Sequence, residues 1–128
     1  MREDGKGGVI INTASMGGIL PIPLGPIYSA TKAAVIQFTR SLSYLEHQEI
    51  RVKAICPTYT LTPLITSEGE SRLSQMKQEI GGKFLTAEQV AEGFKTLAND
   101  KSSEQLMSVT VRKGCQFFTP KVAVKSSL

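Results

Sequence analysis

Three side chains in the first third of the chain have types and spacing that could move a proton. Tyr28 and Lys32 are four positions apart, so on a helix they would share one face, and Ser15 lies upstream of both. A phenol is a poor base at neutral pH, but a neighbouring ammonium favours its phenolate form, so Tyr28 could exchange a proton with a hydroxyl or carbonyl oxygen. Ser15 could hold that oxygen by a hydrogen bond. None of the three can carry a hydride, so redox chemistry here would need a bound cofactor.

The same residues also have a purely structural interpretation. Serine is a common helix cap, and a Tyr/Lys pair one turn apart on an exposed helix contributes a few tenths of a kcal/mol. The position of Ser15 favours the chemical interpretation, because the residue directly follows an apolar segment that is typical of a strand. Ligands of open α/β sheets bind beyond the carboxyl ends of the strands.

The elements that would position these side chains alternate between strand and helix patterns. Short, mostly apolar segments predict three strands, at 8–14, 51–56 and 106–111. After a turn at Gly114 the sequence has no clear pattern. Strands separated by helices predict an α/β fold with a parallel sheet and crossover helices.

Helix patterns fill the segments between these strands. A long amphipathic helix is predicted over 27–45, with its apolar stripe at Ile27, Ala30, Ala34, Val35, Phe38, Leu42 and Leu45. A polar stretch at 68–78 predicts a second helix. Thr86 followed by Gln89 is a capping box, which predicts a third helix that ends near Asn99.

Length and composition predict one domain over residues 1–128. Hydrophobic residues make up 41% and charged residues 20%, which is typical of a globular protein. No apolar run approaches the roughly 20 residues that cross a bilayer, and the charged leader MREDGKGG has no apolar segment behind it. These features favour the cytoplasm and no membrane span. The C-terminal Ser-Ser-Leu partly resembles a peroxisomal address, which leaves the peroxisome as an alternative.

Charge and cysteine placement argue against two classes of partner. The net charge is +4, but the basic residues are spread along the chain without interleaved aromatic residues, so no nucleic-acid partner is predicted. Cys56 and Cys115 are far apart and lack any CxxC or Cys/His spacing. We therefore expect no metal site, and two reduced cysteines that are buried or half-buried.

Three motifs in a fixed order, IINTAS, YSATK and AICPTYTLTP, resemble the carboxyl-terminal half of the short-chain dehydrogenase/reductase family. The resemblance covers residues 8–118 and leaves 119–128 as a tail. It implies a partial Rossmann-type sheet of about three strands that lacks the N-terminal nucleotide-binding half. By the same resemblance, Ser15 orients the substrate, Tyr28 is the catalytic acid/base, and Lys32 supports Tyr28 and binds the nicotinamide ribose.

The resemblance also implies a cofactor and a reaction. The segment after the second strand would border the nicotinamide carboxamide, so the implied cofactor contacts, besides Tyr28 and Lys32, are Pro57, Thr60, Leu61 and Thr62. The implied reaction is the NAD(P)-dependent oxidation of a secondary alcohol or reduction of a ketone, with NAD as the expected cofactor and NADP as the alternative. Thr58 stands where the family has a glycine, and a branched side chain there would be strained if that glycine had a positive φ.

The family's remaining cofactor motifs are not found in this sequence. No G-x-G-x-x-G occurs in the 128 residues, and the family's catalytic asparagine is expected in the half that does not match. Three interpretations therefore stay open. The chain is an enzyme, or a truncated, non-catalytic interaction module, or a fragment of a gene model. In the second case the Tyr28/Lys32 helix would pair with a full-length relative, or form a homo-oligomer, through Val35, Phe38 and Leu42.

Overall fold

A computed structural model describes residues 7–79 and 81–120. Its sheet has four strands in the order β1-β2-β3-β4, at Gly8–Thr13, Ile50–Pro57, Leu106–Thr110 and Gly114–Phe117. The first three are parallel and confirm the predicted strands and α/β class, whereas β4 runs antiparallel to β3. The C-terminal Ser-Ser-Leu lies outside the described residues.

Strand β4 corrects the prediction of three strands and an unpatterned end. Gly114 has a φ of 62°, the left-handed conformation that suits glycine, and it allows the chain to turn back so that Gly114 pairs with Thr110. Four residues, GCQF, are too few for a strand period to be recognised. The strand forms because β3 offers an open edge beside it.

Four helices connect and flank the strands: α1 at Pro26–Ser41, α2 at Pro63–Thr66, α3 at Glu70–Glu79 and α4 at Ala87–Asn99. The capping box before α4 is confirmed: Thr86 Oγ1 accepts from the Gln89 N–H at 3.3 Å, and Gln89 Oε1 accepts from the Thr86 N–H at 2.9 Å. The predicted helix over 27–45 is shorter than expected. It ends at Ser41 and continues as a 3₁₀ turn over Ser43–Gln48.

The core consists of two clusters of buried residues, one associated with α1 and one with α4. Because neighbouring side chains of a strand point to opposite faces, Ala54 and Cys56 join the first cluster and Ile55 the second. The first cluster also contains Ala14, Ile36 and Leu106. The second also contains Leu85, Leu97, Met107 and Val109.

Helix α1 buries only part of its predicted apolar stripe against the sheet, since Val35 packs on the core while other members are exposed. Its two buried residues are Ile36 and Thr39, whereas Ile27 and Phe38 of the predicted stripe are 81% and 60% exposed. A polar link explains this orientation. Asn12 of β1 donates to Thr39 Oγ1 at 3.0 Å, and Thr39 Oγ1 donates to the Val35 carbonyl at 2.8 Å. The threonine is thereby satisfied and fixes α1 against β1.

A buried lysine ties β2 to the loop after α4. Lys53 is 1% exposed, and its ammonium donates to the Asp100 carboxylate and to the carbonyls of Ser102 and Glu104, at 2.9 and 2.8 Å. All three ammonium hydrogens have acceptors, as a buried charge requires. This loop leads into β3.

Within residues 7–79 and 81–120, no helix is long and apolar enough to cross a membrane. The same residues contain no group of three or more histidine, cysteine or acidic side chains placed to hold a metal ion.

Candidate active site

A cleft of about 560 Å³ opens at the carboxyl ends of β1 and β2. Parallel strands end at the same edge of a sheet, so Ser15, which follows β1, and Pro57, which ends β2, are brought together there. Tyr28 and Lys32 of α1 line the same cleft. The structure thus places the three residues with the predicted chemistry around one space.

Ser15 has a structural role and also borders the cleft. Its Oγ accepts a hydrogen bond from the Gly17 N–H at 3.0 Å, which caps the 3₁₀ turn over Met16–Gly18. The same hydroxyl lies 3.5 Å from the Pro57 carbonyl oxygen of the neighbouring strand. The capping interpretation and the chemical one are therefore compatible, because the cap fixes the serine at the cleft.

Gly18 allows the loop after β1 to touch the backbone of α1 at Lys32, and Gly17 lies close to Ile22 of the following loop. A Cβ on Gly18 would lie 2.6 Å from the carbonyl carbon of Lys32, and one on Gly17 would lie 2.5 Å from Ile22 Cδ1. A side chain at Gly18 would therefore require the loop or the helix backbone to move, whereas at Gly17 only the end of the Ile22 side chain would have to move. The close approach of Gly18 to α1 joins segments that are distant in the sequence, so no local pattern predicts it.

Tyr28 lies in the first turn of α1, which begins at Pro26 as prolines commonly do. Lys32 Nζ is 5.8 Å from the centre of the Tyr28 ring and donates a hydrogen bond to the Thr13 carbonyl at 3.0 Å. This bond joins the ammonium to the end of β1, beside Ser15. Tyr28 is 47% exposed, so its ring is accessible from the cleft.

The segment after β2 supplies the opposite wall, with one difference from the sequence prediction. Pro57, Thr60 and Thr62 line the cleft, but Leu61 does not. Leu61 is 52% exposed, and its N–H donates to the Leu85 carbonyl at 2.8 Å. The structure therefore brings three of the four predicted cofactor residues of this segment to the site.

Thr58 occupies its position without backbone strain. Among the described residues the one non-glycine with a positive φ is Glu49, so Thr58 has an ordinary conformation. Its N–H donates to the Val109 carbonyl at 3.0 Å. The strain considered for a threonine at this glycine position is absent from the structure.

Two cleft residues were not found from the sequence, Tyr59 and Glu79. The Tyr59 hydroxyl donates to Glu79 Oε2 at 2.9 Å. Burial, followed by the hydrogen bond to Glu79, raises the pKa of Tyr59 to about 12, so this phenol stays protonated at neutral pH. Glu79 ends α3 and is twenty residues from Tyr59 in the sequence, so no local spacing could have linked them.

Cys56 lies beneath the cleft and is excluded as a nucleophile. The residue is fully buried, and burial raises the pKa of its thiol to about 12, against the smaller opposing effect of a backbone hydrogen bond with Ser15. A thiolate is therefore not populated at neutral pH. Cys115 is half-buried, and neither cysteine forms a disulfide in the structure.

The comparisons with known proteins agree with this geometry. The family model of short chain dehydrogenase matches residues 1–73 of the 128, so the chain belongs to the short-chain dehydrogenase/reductase family. Mouse 15-hydroxyprostaglandin dehydrogenase [NAD(+)] is 34% identical over 129 residues, which cover 91% of this chain and 48% of the mouse protein. The chain thus spans about half the length of the curated relatives it matches.

Solved structures of the same family share the fold. The 3-hydroxyacyl-CoA dehydrogenase type-2 of Mycobacterium avium matches with a TM-score of 0.70 and 29% identity, over 94% of this chain and 47% of the other. The L-sorbose reductase of Gluconobacter frateurii, complexed with NADPH and L-sorbose, matches with a TM-score of 0.66 and 26% identity, over 81% and 46%. These likenesses confirm the partial Rossmann-type sheet predicted from the sequence.

Proposed function

We propose that this chain carries the acid/base site of an NAD(P)-dependent oxidoreductase that oxidises a secondary alcohol or reduces a ketone. The observation that carries the proposal is the meeting of Ser15, Tyr28 and Lys32 in one cleft at the carboxyl end of the sheet. Family membership supports the same class of reaction. A relative named for NAD(+) and another solved with NADPH support a nicotinamide cofactor, with NAD expected.

In the proposed reaction, the chain's own residues handle the oxygen and its proton. Ser15 holds the substrate oxygen, and Tyr28 takes the hydroxyl proton during oxidation or returns it to the carbonyl during reduction. Lys32 places a positive charge beside Tyr28, with its Nζ 5.8 Å from the centre of the ring. Its ammonium is fixed by the Thr13 carbonyl and has further N–H donors for a ribose hydroxyl.

The residues along the cleft fit the nicotinamide end of such a cofactor. Thr62 lies at the start of α2, but its side chain makes no capping hydrogen bond, so its hydroxyl is available in the cleft. Thr60 and Pro57 complete this wall, while the assignment of Leu61 stays a prediction. A bound nicotinamide would accept or supply the hydride that none of these side chains can carry.

The test is turnover of secondary alcohols with NAD and with NADP by the 128-residue chain, compared with Tyr28→Phe. We expect the variant to lose about 100-fold or more in kcat, since general acid/base catalysis contributes about 10² to 10⁴. Tyr44→Phe is the matched control, because Tyr44 is 57% exposed and lies outside the cleft. Equal activity of the Tyr28→Phe variant and the wild type would remove Tyr28 from the mechanism.

A second candidate function is pairing through α1, and one observation favours it. Ile27 and Phe38 are 81% and 60% exposed, and Ala30 and Ala34 between them are also exposed, so α1 presents an apolar stripe to its surroundings. Val35, by contrast, packs against the core. The pairing surface proposed here for a homo-oligomer, or for a full-length relative, is therefore centred on Phe38 rather than on Val35.

Phe38→Asp tests this surface. If the stripe pairs, the variant should be monomeric, in light scattering after size-exclusion chromatography, at concentrations where the wild type is dimeric. Co-purification with a full-length relative should be lost as well. Gln37→Asp adds the same charge at the next exposed position of the helix and should leave the assembly unchanged. A dimer that survives Phe38→Asp would place the interface elsewhere.

A further inference from the structure

The cleft contains one carboxylate, which the proposed reaction does not use. Its charged lining residues are Lys32 and Glu79. Lys32 is fixed by the Thr13 carbonyl, whereas Glu79 receives the Tyr59 hydroxyl on Oε2. Within the described part of the chain no basic group forms an ion pair with Glu79. The carboxylate therefore retains the acceptor capacity of Oε1.

Tyr59 holds this carboxylate at the wall of the cleft by a hydrogen bond. Its main-chain carbonyl accepts from the Leu85 N–H at 2.9 Å, so the backbone of Tyr59 is fixed. Tyr59, Glu79 and Tyr28 all line the cleft. Arg72 acts on Tyr59 electrostatically, but it hydrogen-bonds Gln75 and is not a lining residue.

Much of the cleft lining is apolar. It includes Leu20, Pro21, Ile22, Pro23, Leu64 and Ile65. On such a wall a carboxylate is a selective feature, because it attracts a hydrogen-bond donor and repels an anion, while the apolar residues favour a hydrocarbon chain.

We propose that Glu79, positioned by Tyr59, determines the substrate class. The cleft selects alcohols or ketones whose apolar chain carries a second hydrogen-bond donor, a hydroxyl or an ammonium, and it disfavours those that carry a carboxylate. The inference rests on the proposed function for the location of the reacting carbon. The preference itself is a property of binding and can be measured without turnover.

Four seven-carbon ligands, which differ only in the group remote from the secondary alcohol, test the preference. They are heptane-1,6-diol, 7-aminoheptan-2-ol, 6-hydroxyheptanoate and 2-heptanol, each titrated into the isotope-labelled 128-residue chain and followed by two-dimensional NMR. We expect Kd for 6-hydroxyheptanoate to exceed that for heptane-1,6-diol about tenfold, the size of effect for a hydrogen bond to a charged group. Comparison of Kd for the diol and the amine shows whether the cleft prefers a neutral or a cationic hydrogen-bond donor.

Glu79→Gln keeps the size of the side chain and removes its charge. It should reduce the tenfold ratio to about twofold or less, chiefly by tightening the carboxylate ligand. Glu70→Gln is the control, because it makes the same change in the same helix outside the cleft. Tyr59→Phe removes the hydrogen bond that holds the carboxylate and should give a ratio of Kd values between those of the wild type and Glu79→Gln. Thermal unfolding shows whether this variant is folded.

The outcomes separate this inference from the proposed function. Selective binding without turnover would contradict the proposed reaction and leave the preference standing. Turnover with equal Kd values for diol and carboxylate would overturn the preference alone. The preference would also be overturned if the ratio of the two Kd values is the same in Glu79→Gln as in the wild type, or if none of the four ligands binds saturably.

Discussion

On the α1 side of the sheet, three of the five buried core residues are alanine or cysteine, whereas the α4 side buries five large aliphatic side chains, including Leu97 and Met107. The α1 side adds a polar link through Thr39 and the close approach of Gly18 to the helix backbone. Short side chains and hydrogen bonds fix the position of a helix on the sheet. Large apolar side chains contribute most of the hydrophobic free energy. The difference suggests that one side positions the site and the other supplies stability.

Leu97→Ala should have the largest effect on stability. The leucine is fully buried on the α4 side, so its truncation removes apolar contacts and leaves a cavity, at a cost of about 3 kcal/mol in the free energy of unfolding. Urea denaturation measures the loss. Ligand affinity of the folded variant should be unchanged, and Lys95→Ala, at an exposed position of the same helix, should cost less than about 0.5 kcal/mol. An altered ligand affinity would contradict the conclusion that the α4 side contributes stability without positioning the site.

Gly18→Ala should act on the other side, with a smaller loss of stability and a larger effect on the site. The added Cβ would lie 2.6 Å from the Lys32 carbonyl carbon, so the loop or the helix must shift. We expect a cost of about 2 kcal/mol, together with weaker binding of ligands in the cleft. Gly82→Ala is the comparison for backbone strain without a clash, because Gly82 has a φ of 103° and nothing lies within 4 Å of its new Cβ, whereas Gly18 has no positive φ. Unchanged ligand binding in Gly18→Ala would show that the site does not depend on this contact.

Asp100→Asn should have the smallest effect, and that effect should depend on pH. Burial alone would raise the pKa of Asp100, but hydrogen bonds from Lys53 and Ser102 outweigh it and hold the pKa below its ordinary value. The folded state therefore favours the carboxylate, so this stabilisation is present above the ordinary carboxyl pKa and is lost as the pH falls through the lowered one.

At pH 7 the variant should be about 1 kcal/mol less stable than the wild type, because the Asp100 side chain is 22% exposed and its pair is partly screened. Urea titrations at pH 7 and pH 3 should show the difference shrinking in acid. A difference that is constant with pH would mean that the asparagine acts by some route other than charge.

The sequence was informative where signals are local. The convergence of Ser15, Tyr28 and Lys32 was predictable, because the strand before the serine and the helical spacing of the pair are both short-range features. The capping box of Thr86 and Gln89 was equally local.

The differences from the predictions arose where distant segments meet. The apolar stripe of α1 did not reveal which of its residues face the sheet, and in the structure Ile36 and Thr39 are buried while Phe38 is exposed. Strand β4 depends on the open edge of β3. The Tyr59/Glu79 pair exists only because α3 folds back over the segment after β2.

The most direct test of the account is a titration of the 128-residue chain with NADH, followed by nicotinamide fluorescence. If the Ser15, Tyr28 and Lys32 cleft serves a nicotinamide cofactor, binding should be saturable below millimolar concentrations, and Lys32→Met should weaken it about tenfold, as expected for the loss of a charge-assisted hydrogen bond. The absence of saturable binding at millimolar NADH, or equal affinity in Lys32→Met, would contradict it.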